Sequence, residues 1–304
     1  MRVFVTGATG FIGTVLVRDL IRAGHQVLGL TRSEAGADAL TAAGAQVHRG
    51  SLEDLESLRA GAAMADGVIH TAFVHDFSFH DLSKFKENCE IDRRAIQAIG
   101  SALAGSGRPL VVTSGTLMVK PGQLATEDIP APSDHSVPRV SERTAMELIS
   151  SGVRVSVVRL PQVHDRDKAG LVNYLIAVAR EKKVSAYIGE GRNRWSAVHR
   201  LDVPPVYRLA LEQAPAGSTY HAIAEEGVPL REIAEAIGRG LKIPVVSKSG
   251  DAAASHFGWL SIFAGMDGPA SSALTQQRLG WTPAQSTGLI ADLDQFNEFK
   301  DRAL

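Results

Sequence analysis

The stretch Val3-Phe4-Val5-Thr6-Gly7-Ala8-Thr9-Gly10-Phe11-Ile12-Gly13 limits what this chain can become more than any other part of it. A β-branched and aromatic run leads into three glycines at G-x-x-G-x-x-G spacing. An apolar helical pattern follows (Val15, Leu16, Leu20, Ile21) and stops at Gly24, and a second strand-like run spans Gln26 to Leu30. Strand, glycine turn, helix, strand is the frame of a dinucleotide site. One glycine permits the tight turn, another lets the backbone approach a pyrophosphate, and a third lets helix pack on strand, so that phosphates meet the positive end of the helix. A tight turn with no ligand is the competing reading.

Beyond this stretch, strand and helix patterns keep alternating. Helices are expected at Gly36 to Ala43, Glu53 to Met64, Leu82 to Ala104 and Ser141 to Ser150. Strands are expected at Gln46 to Arg49, Gly67 to Ala72, Pro109 to Thr116 and Val153 to Leu160. The segment from Phe73 to Asp81 and the proline-rich segment from Pro121 to Pro138 read as loops. Regular alternation argues an α/β fold with a doubly wound parallel sheet and right-handed crossovers. After Pro161 the pattern becomes irregular. Residues 1–161 are expected to form the dinucleotide-binding domain and residues 162–304 mainly a smaller C-terminal substrate lobe. A strand over Ser218 to Ile223 is expected to return to the main sheet. Such a lobe would cover the carboxyl ends of the strands, where an open α/β sheet keeps its ligand.

Composition narrows the partners. The chain has 304 residues, 44% hydrophobic and 21% charged, with a net charge of -1. Nothing in that balance calls for nucleic acid or an anionic membrane. No stretch reaches the ~18 apolar residues of a membrane span, and no signal peptide is visible, so a cytoplasmic protein is expected. Cys89 is the single cysteine, which excludes an internal disulfide and reads as a small buried side chain.

The cofactor is decided at the end of the second strand, about 20 residues past the last glycine, where an acidic residue would hold a ribose 2′-hydroxyl. Here the chain reads Leu30-Thr31-Arg32-Ser33. Arg32 offers a planar, permanently charged fork suited to a phosphate, and Ser33 adds a hydroxyl. NADP(H) is therefore preferred to NAD(H). Glu34 argues the other way if the register shifts, and a solvated surface charge is the alternative for Arg32.

With these residues in hand, the chain resembles the extended or atypical short-chain dehydrogenase/reductases, of the NAD-dependent epimerase/dehydratase-like kind. The resemblance is carried by residues 6–13, Gly50-Ser51-Leu52-Glu53-Asp54, His70-Thr71-Ala72, Asn88 and Thr113-Ser114-Gly115-Thr116. It continues through Val157 to His164, Ala197 to Asp202 and Leu279-Gly280-Trp281-Thr282-Pro283. It implies a Rossmann fold, a small-molecule substrate and a homodimer built on the helices at Leu82 to Ala104 and Ser141 to Ser150. Cofactor contacts are implied for Gly7, Thr9, Gly10, Phe11, Ile12, Gly13, Ser51, Leu52, Thr71, Ala72, Phe73, Thr113, Arg143, Leu160 and Val163. Ser51 replaces the aspartate that usually bonds the adenine amino group.

The larger departure is catalytic. The family's tyrosine-x-x-x-lysine pair is missing, and counting back from Glu147 puts Arg139 at the tyrosine position and Arg143 at the lysine position. The tyrosines are Tyr174, Tyr187, Tyr207 and Tyr220, all in the second half. Ser114 falls where the family keeps its catalytic serine, with Thr116 two residues on. The alternative is a strand end that satisfies its own loop. Arg143 could grip the nicotinamide ribose or stabilise an oxyanion, but neither arginine is a practical general acid. A surface i,i+4 pair between Arg143 and Glu147 is the competing reading. Proton transfer must then come from elsewhere or from water. His75, His135, His164 and His199 are expected in loops facing the cleft, as is Trp195 in an apolar, aromatic pocket. His75-Asp76 and His80-Asp81 match no metal-site spacing, and no metal is expected.

Three functions follow from these readings: an NADP(H)-dependent oxidoreductase acting on a small hydrophobic carbonyl compound, a noncatalytic NADP(H)-binding sensor, and a nucleotide-sugar epimerase or dehydratase.

Overall fold

The computed structural model of the chain describes residues 1–74, 82–132 and 139–300. The first half runs β1 (Arg2–Thr6), α1 (Gly13–Arg22), β2 (Gln26–Thr31), α2 (Glu34–Ala42), β3 (Gln46–Arg49), α3 (Leu55–Ala63), β4 (Gly67–His70), α4 (Leu82–Leu103), β5 (Pro109–Gly115), α5 (Ser141–Glu147) and β6 (Arg154–Leu160). The second half runs β7 (Gln162–His164), α6 (Val172–Lys182), β8 (Ser185–Ile188), β9 (Arg194–His199), α7 (Val203–Gln213), β10 (Ser218–His221), β11 (Glu225–Pro229) and α8 (Leu230–Leu241). It closes with β12 (Val245–Lys248), α9 (Gly250–Phe257), α10 (Ser261–Ala264), α11 (Ala273–Leu279), α12 (Leu289–Asp294) and α13 (Asn297–Lys300).

Seven strands form one parallel sheet in the order β10-β6-β5-β4-β1-β2-β3. This is the doubly wound Rossmann arrangement, with the chain reversing direction across the sheet between β1 and β4. Alternate residues of each strand feed opposite faces, as a two-residue period demands. Val3, Val5, Val111 and Val158 join the core under α1, α2 and α7, while Phe4, Leu110, Val112 and Val155 join the core under α3, α4 and α5. With both faces covered, the strands read as apolar runs.

Local chemistry fixes where the helices start and stop. The Ser33 hydroxyl caps α2 by accepting the Gly36 N–H, and the Asp54 carboxylate caps α3 by accepting the Ser57 N–H. Gly152, at φ 76°, ends the helical segment after α5 in the left-handed conformation.

The remaining strands pair as a three-stranded sheet β11-β9-β7 and a two-stranded sheet β12-β8. They share a second core with α6, α8, α9 and α12, built on Trp195, Ile233, Phe257, Leu260 and Leu293. The short strands β7, β9, β11 and β12 carry no sequence signal of their own strong enough to be read as strands. Among the described residues no helix is long and apolar enough to cross a membrane.

Candidate active site

The loops at the carboxyl ends of β1, β4, β5 and β6 open into a cleft of about 880 Å³ that the second core closes from the other side. The glycine turn forms its floor. Gly7 sits at φ 69°, and a side chain there would come within 2.7 Å of Thr71 Oγ1 and 2.8 Å of the Ala72 backbone nitrogen. A Cβ at Gly13 would run into the carbonyl oxygen of Gly7. Both positions therefore require glycine. No side chain caps α1, and its first turn carries no acidic residue. A helix start whose first N–H groups have no partner among the described residues, at the edge of a large cleft, fits the pyrophosphate of a dinucleotide.

Gly7, Thr9, Gly10, Phe11, Ile12, Gly13, Arg32, Thr71, Ala72, Phe73, Thr113, Arg143, Leu160 and Val163 all line this cleft. Three residues expected to touch cofactor lie outside the lining. The Ser33 hydroxyl is taken by its capping bond to Gly36 (3.1 Å). The Ser51 hydroxyl accepts the Glu53 N–H at 3.3 Å, and Leu52 packs on the core under α3 and α4. At the mouth Arg32 is exposed, while Glu34 is held in an ion pair by Arg49.

The reacting end of the cleft is assembled by β5, β6 and α5. The Ser114 hydroxyl lines it and has no hydrogen-bond partner among the described residues. Thr116 is 2% exposed, and its hydroxyl meets Ser196 Oγ at 3.2 Å. Arg139 Nε donates to Ser141 Oγ at 3.0 Å and Nη2 to the Thr113 carbonyl at 3.3 Å, and its guanidinium lies 4.5 Å from the centre of the Phe73 ring. Behind it, Ser141 donates to Asp92 (2.5 Å), which also receives His70 Nε2 (3.0 Å), while His70 Nδ1 meets Thr6 Oγ1 (2.8 Å). Burial alone would raise the Asp92 carboxyl. The His70 bond and charge, the Arg139 charge and the Ser141 bond together hold it below the usual carboxylate range.

Arg143, one turn along α5, is half-buried in the cleft wall and forms no ion pair with Glu147; among the described residues its guanidinium has no partner. Its neighbour Glu142 is buried against Arg159, which donates from Nε (2.9 Å) and Nη2 (2.6 Å). Arg159 also reaches His221 Nε2 (3.2 Å), whose Nδ1 meets the Ser271 carbonyl (2.8 Å). Burial and the Arg159 charge push His221 down to about 4. Two buried polar systems thus fix α5, and with it both arginines.

His164, His199 and Trp195 do not line the cleft, contrary to expectation. Strand alternation explains Trp195: it points into the second core with Ala197, and its neighbour Ser196 faces the cleft. His164 and His199 are register partners across β7 and β9. His164 Nδ1 meets Asp292 Oδ2 at 2.7 Å, and burial holds its imidazole below the usual value. His75, Phe77, Phe79, His80 and His135 lie outside the described residues. Cys89 is buried, which pushes its thiol up to about 12. Among the described residues no group of three or more histidine, cysteine, aspartate or glutamate side chains could hold a metal.

Sequence reasoning missed Lys168, Tyr174 and Asn173, which α6 and the loop before it bring to the cleft. It also missed Asp92, whose only signal was a charge four residues after Asn88 on one helix face; both are buried, at 2% and 3% exposure. Tyr174 stacks edge to face on Trp259 with ring centres 5.4 Å apart, and burial raises its phenol. Trp259, Phe263, Leu117 and Met118 complete an apolar wall.

Fold and cleft together define an α/β nucleotide-binding protein of the Rossmann type. Residues 3–223 match the model of the NAD dependent epimerase/dehydratase family, and the chain belongs to that family. It is 52% identical over 298 residues to an uncharacterized protein of Schizosaccharomyces pombe, covering 96% of this chain and 98% of that protein. It is 29% identical over 247 residues, covering 76% of this chain and 70% of the other, to a 4-hydroxy-2-methyl-3-oxo-4-farnesyl-3,4-dihydroquinoline-1-oxide ketoreductase of Stigmatella aurantiaca. Among solved structures, a double mutant of dTDP-glucose 4,6-dehydratase from Streptomyces venezuelae with NAD bound superposes with a TM-score of 0.75 at 18% identity, covering 100% of this chain and 98% of the other.

Proposed function

We propose that the protein is an NADP(H)-dependent oxidoreductase of the short-chain dehydrogenase/reductase type that reduces a small hydrophobic carbonyl compound without a tyrosine-x-x-x-lysine pair. The observation that carries this reading is one cleft holding the glycine turn, the hydroxyl of Ser114, unpartnered among the described residues, and the fixed charges of Arg139 and Arg143. Arg32 at the mouth, with Glu34 drawn into its pair with Arg49, supports a 2′-phosphate. The apolar wall of Leu117, Met118, Trp259 and Phe263 supports a hydrophobic substrate, and the ketoreductase of Stigmatella aurantiaca is in keeping with carbonyl reduction.

When bound, the reduced nicotinamide supplies the hydride. Ser114 donates a hydrogen bond to the substrate carbonyl oxygen, and Arg139 and Arg143 favour the negative charge that develops on it. Neither arginine can release a proton near neutral pH. We assign that step to the hydroxyl of Tyr174, the tyrosine that lines the cleft. In this reading residues 1–161 serve the cofactor, residues 162–304 mainly serve the substrate, and the working unit is a homodimer through α4 and α5.

The test is a panel of ketones and aldehydes with NADPH, run on the wild type and on Ser114→Ala. Turnover of an apolar carbonyl that falls at least tenfold in the variant supports the reading. Tight NADPH binding with no turnover would favour a noncatalytic sensor. Conversion of a nucleotide sugar without net oxidation would favour an epimerase or dehydratase.

A further inference from the structure

The loop between β7 and α6 brings a cation to the glycine turn from the far side of the cleft. Lys168 lines the cleft, and its ammonium lies 5.9 Å from the centre of the Phe11 ring. The loop is held in shape by Asp165, whose Oδ1 accepts the N–H groups of Asp167 (2.8 Å) and Lys168 (2.9 Å). Its Oδ2 accepts from Arg200 (3.1 Å), which reaches Thr14 Oγ1 (2.5 Å) in the first turn of α1 and stacks on Phe11 at 4.4 Å. Both terminal nitrogens of Arg200 are thus taken up in a latch between loop and helix, while its Nε is buried without a partner among the described residues. The Lys168 ammonium is not taken up: among the described residues no carboxylate pairs with it. In the glycine turn itself, the backbone N–H groups of Phe11 and Ile12 have no partner among the described residues.

We propose that Lys168 is a diphosphate-binding residue, which holds the cofactor pyrophosphate together with the N–H groups of the glycine turn. A strongly hydrated point charge suits that task, because it can follow the diphosphate without a fixed geometry. The inference rests on reading the cleft as a dinucleotide site. The position of Lys168 beside Phe11 assigns the diphosphate to the cofactor rather than to a nucleotide-sugar substrate.

The test measures equilibrium binding by calorimetry for the wild type, Lys168→Met and Lys168→Arg. The probes are NADPH, ADP-ribose, adenosine 2′-monophosphate and UDP-glucose, each at low and high salt. Lys168→Met is expected to weaken NADPH and ADP-ribose by about tenfold at low salt, with the gap narrowing at high salt. It should leave adenosine 2′-monophosphate unchanged, while Lys168→Arg keeps most of the affinity. The side chain is exposed, so the melting temperature without ligand should not move. Unchanged NADPH and ADP-ribose binding in Lys168→Met would overturn the proposal. So would a loss confined to UDP-glucose, which would move the diphosphate to the substrate. A wild type that binds neither NADPH nor NADH would overturn the dinucleotide reading itself, and the proposal with it.

Discussion

Ser141 donates its hydroxyl proton to Asp92, Oγ to Oδ2 2.5 Å, with both side chains out of water. The same Ser141 oxygen accepts Arg139 Nε, so a buried carboxylate sets the position of a guanidinium in the cleft. Replacing one charged partner in such a network leaves the others unsatisfied. Asp92→Asn is expected to lower kcat for carbonyl reduction by about tenfold or more, with NADPH affinity changed less than threefold. Steady-state kinetics and NADPH titration on the same variant check this.

In the proposed function Arg32 is the residue that selects NADPH over NADH. Arg32→Ala removes a phosphate fork and leaves the glycine turn untouched, so the NADPH dissociation constant should rise about tenfold to a hundredfold. The NADH constant should stay within about threefold. Fluorescence titration of both cofactors gives the ratio directly.

With Tyr174 as the proposed proton donor, its phenol should set the alkaline limit of reduction. Burial raises its phenol above the ordinary value of 10.0, so the donor stays protonated through neutral and mildly alkaline pH. kcat for reduction should stay level through neutral and mildly alkaline pH and fall only where the raised phenol ionises. Tyr174→Phe should lose about a hundredfold in kcat and lose that alkaline limb as well.

His221 ties stability to pH. Its folded value is about 4, below the ordinary 6.5, because burial and Arg159 disfavour the imidazolium. Between those values the unfolded chain binds the extra proton. The stability from neutral His221 is therefore fully present above about pH 6.5 and is lost as pH falls toward 4. His164 is shifted in the same direction and adds to the effect. His221→Asn, which can still donate to Ser271 and accept from Arg159, should lose on the order of 2 kcal/mol less than the wild type over that window. Urea unfolding at pH 7 and pH 4.5 measures the difference.

The parallel sheet was legible because its inner strands, β1, β4, β5 and β6, are buried on both faces and rich in apolar residues. The glycine turn was legible because Gly7 and Gly13 are sterically forced. The second half resisted for a physical reason. Strands β7, β9 and β11 are short and pair with one another only across long stretches of sequence, so nothing local marks them. Without β9 the facing of Trp195 against Ser196 could not be assigned, and a large aromatic in an apolar region was read as pocket.

His164 and His199 fall outside the cleft lining for a related reason. His164 and His199 come together as register partners against Asp292, 128 residues beyond His164 in sequence. Asp92 was passed over because a lone carboxylate on a helix reads as solvent-facing until Ser141 and His70 are seen to converge on it. Lys168 and Tyr174 lie in a segment whose position over the glycine turn depends on the Arg200 link to Thr14.

In the proposed function this cleft moves hydride from NADPH to a carbonyl carbon without the usual tyrosine-lysine pair. NADPH deuterated at the nicotinamide C4 position tests it most directly, incubated with the wild type and with Ser114→Ala over an apolar carbonyl panel and followed by mass analysis of the alcohol. One deuterium is expected in the product of at least one substrate, formed at least tenfold more slowly by Ser114→Ala. Saturating NADPH binding with no deuterated alcohol from any member of the panel would contradict it.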